Sequence, residues 1–214
     1  MKTTYLDEYL KNKIVYLPIG TFEWHGNHLP LETDAITAEK VCEEVSKIIP
    51  GYVMEPLYIA TDVAEGDLYG MQRHLKKQLA GEVYYLNQEL FIQVVTAVTK
   101  NLLRDGFKKV VIVTGHAGSG QLTALEEIEK TENVVTVNPF KDIEIHVQHA
   151  DEYETSLFWS CRPEEEVKSR AKDISLKDDY FRFLGRDPRK DASVEKGKRL
   201  LKQMIKTTIN AVKG

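Results

Sequence analysis

The residues of this 214-residue chain best suited to chemistry are its histidines and the carboxylates beside them. Five of the six histidines fall in three short stretches: His25 with His28, His116, and His146 with His149. Glu23 and His25 stand two apart in Glu23-Trp24-His25. In an extended segment such residues project to the same side, so a carboxylate and an imidazole can share one site. Asp34 follows a polar loop, and His116 is held between Gly115 and Gly118. The run His149-Ala150-Asp151-Glu152-Tyr153-Glu154-Thr155-Ser156 adds three further carboxylates, Asp151, Glu152 and Glu154. Mixed imidazole and carboxylate donors suit Zn, Mn or Fe. A carboxylate can also bridge two ions, which together bind and activate a water. Asp34, flanked by neutral residues at a helix start, is the natural bridge candidate.

Each residue alone has a plainer reading. Asp34 can serve as a helix N-cap, and His116 as a turn residue. His28 reads as a hydrogen-bonded structural histidine. Glu152 and Glu154 can be first-turn charges facing a helix dipole. Their co-occurrence in three separate loops favours a shared site. A rival lies in Gly115-His116-Ala117-Gly118-Ser119-Gly120-Gln121-Leu122, which follows a strand and opens a helix as an anion-binding loop does. Gln121 and Leu122 stand where a nucleotide-hydrolysing P-loop needs Lys and Ser or Thr, which argues against that function. An anion resting on the helix N-terminus stays open.

The elements that position these residues follow from periodicity. Ile14 to Gly20 is a short apolar run suited to a buried strand, and Asp34 precedes a helical pattern that ends at Pro50. Tyr52 to Leu57 is a second strand. Ala60 to Gly81 has no period and reads as a long loop, a common home of function. Leu86 to Asp105 is an amphipathic helix stopped by Gly106. Val110 to Thr114 is a β-branched run, the mark of a strand covered on both faces. A helix over Leu122 to Glu129, a strand over Val134 to Val137, and helices over Glu154 to Cys161 and Val194 to Val212 complete the chain. This alternation predicts an α/β fold with a mostly parallel sheet and helices on both faces, as one domain over residues 1–214. In such sheets sites lie at the carboxyl ends of strands, where the candidate residues fall.

Composition narrows the function. Acidic residues number 33 and basic residues 29, for a net charge of −4 with no basic block. Neither nucleic acid nor an anionic membrane is implied as partner. No apolar run reaches spanning length, and no signal-like segment precedes Ile14. Cys42 and Cys161 read as two buried thiols in a reducing compartment, so a cytoplasmic location is expected.

Taken together, the motifs resemble the creatininase (creatinine amidohydrolase) family. Leu17 to Asp34 is similar to that family's first signature almost residue for residue. Gly106-Phe107 followed by Val110 to Gly118 resembles its GF…VVIVNGHGG segment, with Thr114 in place of Asn. His149 to Ser156 is similar to its HAGExETS motif, with Asp151 in place of Gly. Gly185 to Arg189, with Glu195-Lys196-Gly197, resembles its closing GDPR…EKG segment. The resemblance implies a binuclear metal amidohydrolase on a three-layer α/β/α fold. It implies two divalent transition-metal ions, with Glu23, Asp34 and His116 holding the first, and His25 with the bridging Asp34 holding the second. It assigns His149 to proton transfer, and it implies a closed homo-oligomer, a hexamer among the options.

Two departures bear on substrate. In creatininase a Glu two places after the His of the Gly-His pair completes the second metal; that place is Gly118 here, and Glu154 or a water is the expected substitute. The middle segment also lacks the family's YGxSxEH wording, with only His74 and Gly81 matched. The expected reaction is therefore hydrolysis of a small-molecule cyclic amide or formamide, other than creatinine, by a metal-bridging hydroxide. The alternatives are a non-catalytic metal- or ligand-binding protein on the same fold, and a deformylase or peptide-maturation member of the family.

Overall fold

The fold is described from a computed structural model covering residues 5–144, 147–168, 170–177 and 183–214, so His146 lies outside the described residues. In chain order the elements are Leu6–Leu10 (α1), Ile14–Ile19 (β1), Thr33–Ser46 (α2), Tyr52–Val53 (β2), Gly70–Leu75 (α3), Gln88–Arg104 (α4), Lys109–Thr114 (β3), Ser119–Glu129 (α5), Val134–Val137 (β4), Glu152–Cys161 (α6), Glu164–Val167 (α7), Pro188–Asp191 (α8) and Val194–Lys213 (α9).

The four strands form one parallel sheet in the order β2-β1-β3-β4. Successive side chains of a strand point to opposite faces, and both faces of β1 and β3 are covered. Val15, Leu17, Ile19, Val110 and Ile112 pack on Phe91, Val95 and Leu102 of α4 and on Ala124, Leu125 and Ile128 of α5. Tyr16, Val111 and Val113 pack on Val41, Cys42 and Val45 of α2, Leu157 of α6 and Leu200, Leu201 and Met204 of α9. The result is a three-layer α/β/α architecture. Each fully buried aliphatic or aromatic side chain contributes roughly 1.5–3 kcal/mol, so these two interfaces dominate the stability.

Caps sharpen the long helices. Asn87 accepts from Leu90 N ahead of α4, Asp151 accepts from Tyr153 N and Glu154 N ahead of α6, and Ser193 accepts from Lys196 N ahead of α9. Such caps are worth about 1 kcal/mol each.

The positions of β1 and β3 decide where the site forms. They pair in register from Ile14 with Lys109 to Ile19 with Thr114, so their following loops emerge side by side. Gly20 and Gly115 close the two strands, and the start of α2 lies directly against both. A Cβ on Gly20 would stand 2.3 Å from Ala35 N, and one on Gly115 would stand 1.9 Å from Asp34 O. These two residues let the first turn of α2 rest on the strand ends, which delivers Asp34 there.

Several local expectations are corrected. Asp34 is not an N-cap: α2 begins at Thr33 with Glu32 as its cap residue and no side-chain cap bond. The carboxylate instead turns inward. The second strand is limited to Tyr52–Val53, with a single further bridge from Leu57 to Ile19. The long loop holds the short helix α3. Helix α5 begins at Ser119, ahead of the expected Leu122, and α6 begins at Glu152, ahead of Glu154. Both cysteines are buried and free, as expected. No helix among the described residues is long and apolar enough to cross a membrane.

Candidate metal centre

Asp34 stands at the middle of the cluster. Its Oδ1 lies 3.3 Å from His25 Nε2, and its Oδ2 lies 3.2 Å from His116 Nδ1. Thr21 Oγ1 donates to the same Oδ2 at 2.7 Å, which fixes the carboxylate's rotation. Sequence reasoning had not singled out Thr21, although it lies inside the first motif. Glu23 Oε2 is 3.5 Å from His116 Nδ1, and Glu154 Oε2 is 3.7 Å from His25 Nε2. Two groups of donors therefore share Asp34: Glu23, Asp34 and His116 on one side, and His25, Asp34 and Glu154 on the other. A third grouping, Glu23, His25 and His149, overlaps both.

Local structure orients each imidazole. His25 Nδ1 lies 3.0 Å from the Glu23 carbonyl, which accepts its proton and leaves Nε2 for the carboxylates. This arrangement, one ring nitrogen anchored and the other presented, is that of a metal-ligating histidine. Glu154 is held by the Ala150 amide, which donates to its Oε2. Ala150 adopts φ +55°, a left-handed conformation uncommon outside glycine, and this turn aims the amide at the carboxylate. His149 stacks on Trp24 with ring centroids 5.7 Å apart, lies 4.2 Å from the His25 ring, and donates from Nε2 to the Trp24 carbonyl.

The electrostatics are those of an anion-rich pocket. Burial opposes charge on His25, but Glu154 and Asp34 outweigh it and raise its pKa to about 10. Burial likewise opposes charge on His116, and Asp34 and Glu23 raise it to about 9. Asp34 is held well below the usual carboxylate range despite burial, because both imidazoles favour its charge. Burial pushes Glu154 up to about 8 and also raises Glu23. His149 falls well below the usual range through burial and the nearby His25 charge. Three carboxylates converging on two imidazoles in a buried space favour cations, and in this cluster protons on His25 and His116 meet that demand. Glu23 Oε2 is buried without a hydrogen-bond partner among the described residues, although it stands 3.5 Å from His116 Nδ1. A donor atom of that kind fits a metal ion.

The site opens into a cavity of about 750 Å³ lined by Asp34, Asp62, Arg73, His116, His149 and Glu154, among others. Asp62 and Arg73 come from the long loop and α3 and carried no signal in the sequence. A Cβ on Gly118 would stand 2.4 Å from His116 Nε2 and 3.0 Å from Asp62 Oδ2, so a larger side chain there would displace one of them.

Other candidates fall outside the cluster. His28 is structural, with Nε2 3.1 Å from the Ala150 carbonyl and 3.0 Å from Thr155 Oγ1. Glu152 is not a surface first-turn charge: it is buried and paired with Lys196. His74 lies exposed on α3, and Gly81 packs on Leu31.

Comparison with known proteins agrees with this picture. The creatininase family profile, described as creatinine amidohydrolase, matches residues 1–212. A manganese form of creatininase superposes with a TM-score of 0.72 at 20% identity, covering 98% of this chain and 95% of the other. A mutant creatininase of zinc–zinc type gives 0.72 at 19% identity, with the same coverage. A mutant creatininase complexed with creatine gives 0.74 at 19% identity, again over 98% and 95%. A search of curated proteins returned no significant match. At these identities the structural likeness establishes the fold, while the profile match spans nearly the whole sequence. The chain belongs to the creatininase (creatinine amidohydrolase) family.

Proposed function

We propose that this chain is a binuclear metal-dependent amidohydrolase that cleaves a non-peptide C–N bond, in a cyclic amide or formamide other than creatinine. The observation that carries the reading is the division of Asp34's two oxygens between two separate donor pairs, Glu23 with His116 and His25 with Glu154. In this proposal Glu23, Asp34 and His116 hold one divalent ion, and His25, Asp34 and Glu154 hold the other, with Zn, Mn or Fe suited to the donor set. Such ions, when bound, supply an activated water and a polarised carbonyl.

The chain's own residues do the rest. Thr21 and the Glu23 carbonyl fix Asp34 and His25, so the donors are preorganised. His149 spends Nε2 on the Trp24 carbonyl, which leaves Nδ1 as its basic nitrogen. That nitrogen takes the proton from water and passes it to the leaving amine, the role of a general acid–base. Gly118 supports a substrate other than creatinine. A carboxylate there, as in creatininase, would displace the His116 or Asp62 side chain, and in this proposal Glu154, 3.7 Å from His25 Nε2, takes its place. A closed homo-oligomer is part of the proposal. A cytoplasmic setting accords with the two buried free thiols.

The test is metal analysis of protein purified without chelators, followed by assay on a panel of cyclic amides and formamides. Metal-dependent turnover of one of them is expected. Bound metal without turnover on any amide would favour a binding protein on this fold, and absence of metal would end the binuclear reading.

A further inference from the structure

Tyr85 lies in the loop that follows α3, far in sequence from every residue of the metal centre. Its ring stacks on Tyr69 at 5.4 Å between centroids and meets the His116 ring edge-on at 6.0 Å. Its hydroxyl is buried and, among the described residues, meets no partner at ordinary hydrogen-bond geometry, the Glu23 carboxylate being the group it interacts with. A buried phenol left in that state is costly, and such hydroxyls find a partner when one is in reach. The partner in reach is Glu23. A Cβ on Gly70 would stand 2.5 Å from Tyr85 Oη and 2.8 Å from Glu23 Oε1, so the two oxygens crowd the same point. The other oxygen, Glu23 Oε2, points the opposite way, to His116 Nδ1 at 3.5 Å. The two oxygens of Glu23 therefore face different groups.

We infer that Tyr85 is the positioning residue of Glu23, its hydroxyl donating to Oε1 so that Oε2 alone is presented to the metal ion. The inference rests on the binuclear reading above. It gives physical meaning to α3, whose first residue, Gly70, has φ +45° and lets the helix start press against this contact without a side chain. A carboxylate that ligates through one oxygen needs its second oxygen held, and such outer partners typically tune metal affinity by about 10–100-fold.

The experiment titrates Co²⁺ into the metal-stripped full chain, following cobalt absorption and competing with a chromophoric chelator. Wild type, Tyr85→Phe and Gly70→Ala are compared, and the melting temperature of each metal-free protein is recorded. Tyr85→Phe keeps the ring on Tyr69 and His116 and removes only the hydroxyl. It is expected to weaken one of the two ions by about 10–100-fold, to shift the cobalt spectrum, and to leave metal-free melting unchanged. Gly70→Ala, which wedges a methyl between the two oxygens, is expected to weaken the same ion. Identical affinity and spectrum in Tyr85→Phe would overturn the inference and leave the metal centre intact. Equal weakening of both ions, with a parallel fall in metal-free melting, would also overturn it, since the hydroxyl would then be a folding element. A wild type that binds no cobalt would instead refute the metal reading itself, and this inference with it.

Discussion

Replacing Asp34 with Asn tests the centre most sharply, because it removes a charge with little change of shape. Asp34 offers Oδ1 to the His25 side at 3.3 Å and Oδ2 to the His116 side at 3.2 Å, so one substitution touches both ions. Transition-metal sites of about four ligands bind with roughly 10–16 kcal/mol, so one ligand is worth about 3–4 kcal/mol. Each ion should weaken by roughly 10²–10³-fold, at about 1.4 kcal/mol per decade. By contrast, Glu23→Gln and Glu154→Gln each touch a single donor group. The assay is emission spectroscopy of protein dialysed against a weak competing chelator. The expected pattern is about two ions in the wild type, about one in each Glu variant, and close to none in Asp34→Asn. Two ions retained by Asp34→Asn would refute the bridging argument. Loss of only one would place Asp34 on one side and require a different residue between the groups.

His149→Ala should keep its metal but lose about 10²–10⁴-fold in rate on whichever amide the panel yields, as removal of a general acid–base group does. Metal lost as fully as in Asp34→Asn would make His149 a ligand, as its grouping with Glu23 and His25 permits. Gly115→Ala drives a methyl into the Asp34 carbonyl and should cost at least about 1–3 kcal/mol, read in a denaturant melt. Stability equal to wild type would show that the start of α2 does not depend on that close approach. Metal removal by chelator should lower the melting temperature by about 5–10 °C, since ligand at 100 times its Kd adds about 2.7 kcal/mol. An unchanged melting temperature would mean that the ions bind the unfolded chain equally well or do not bind.

The sheet and its layers were legible because burial on both faces writes itself into sequence as β-branched runs. Val110 to Val113 are buried completely, and the strand appears where that run predicted it. Element ends were less legible, because caps and close approaches depend on residues distant in sequence. Asp34 had the side chain of an N-cap and sat near a helix start, yet Thr21, His25 and His116 claim its oxygens. Asp151 took the capping role at α6 that the motif's usual Gly could not have filled through a side chain.

The candidate site divides along the same line. Glu23, His25 and Asp34 were visible because one loop carries them at spacings that local geometry can interpret. His116 was visible only as a chemistry-bearing residue at another strand end, and Glu154 only as one in a motif at a helix start; the register of β1 against β3 is what brings His116 beside the first loop. Tyr85, Asp62 and Arg73 gave no signal, since their segment has no hydrophobic period and its helix is only six residues long. A segment of that kind is placed by what it packs against: Tyr85 by Tyr69 and His116, and Arg73 by the Val63 carbonyl, to which it donates at 2.9 Å. The motifs thus locate the donors, whereas the cavity walls beyond them come from two stretches outside the motifs, Asp62 and Arg73 in one, and Asn138, Phe140, Ile143, Val147 and Gln148 in the other. Substrate range within this family should therefore vary with these wall residues more than with the ligands, and exchanging them between two members, with Gly70 and Tyr85 retained, should move specificity while metal content stays fixed.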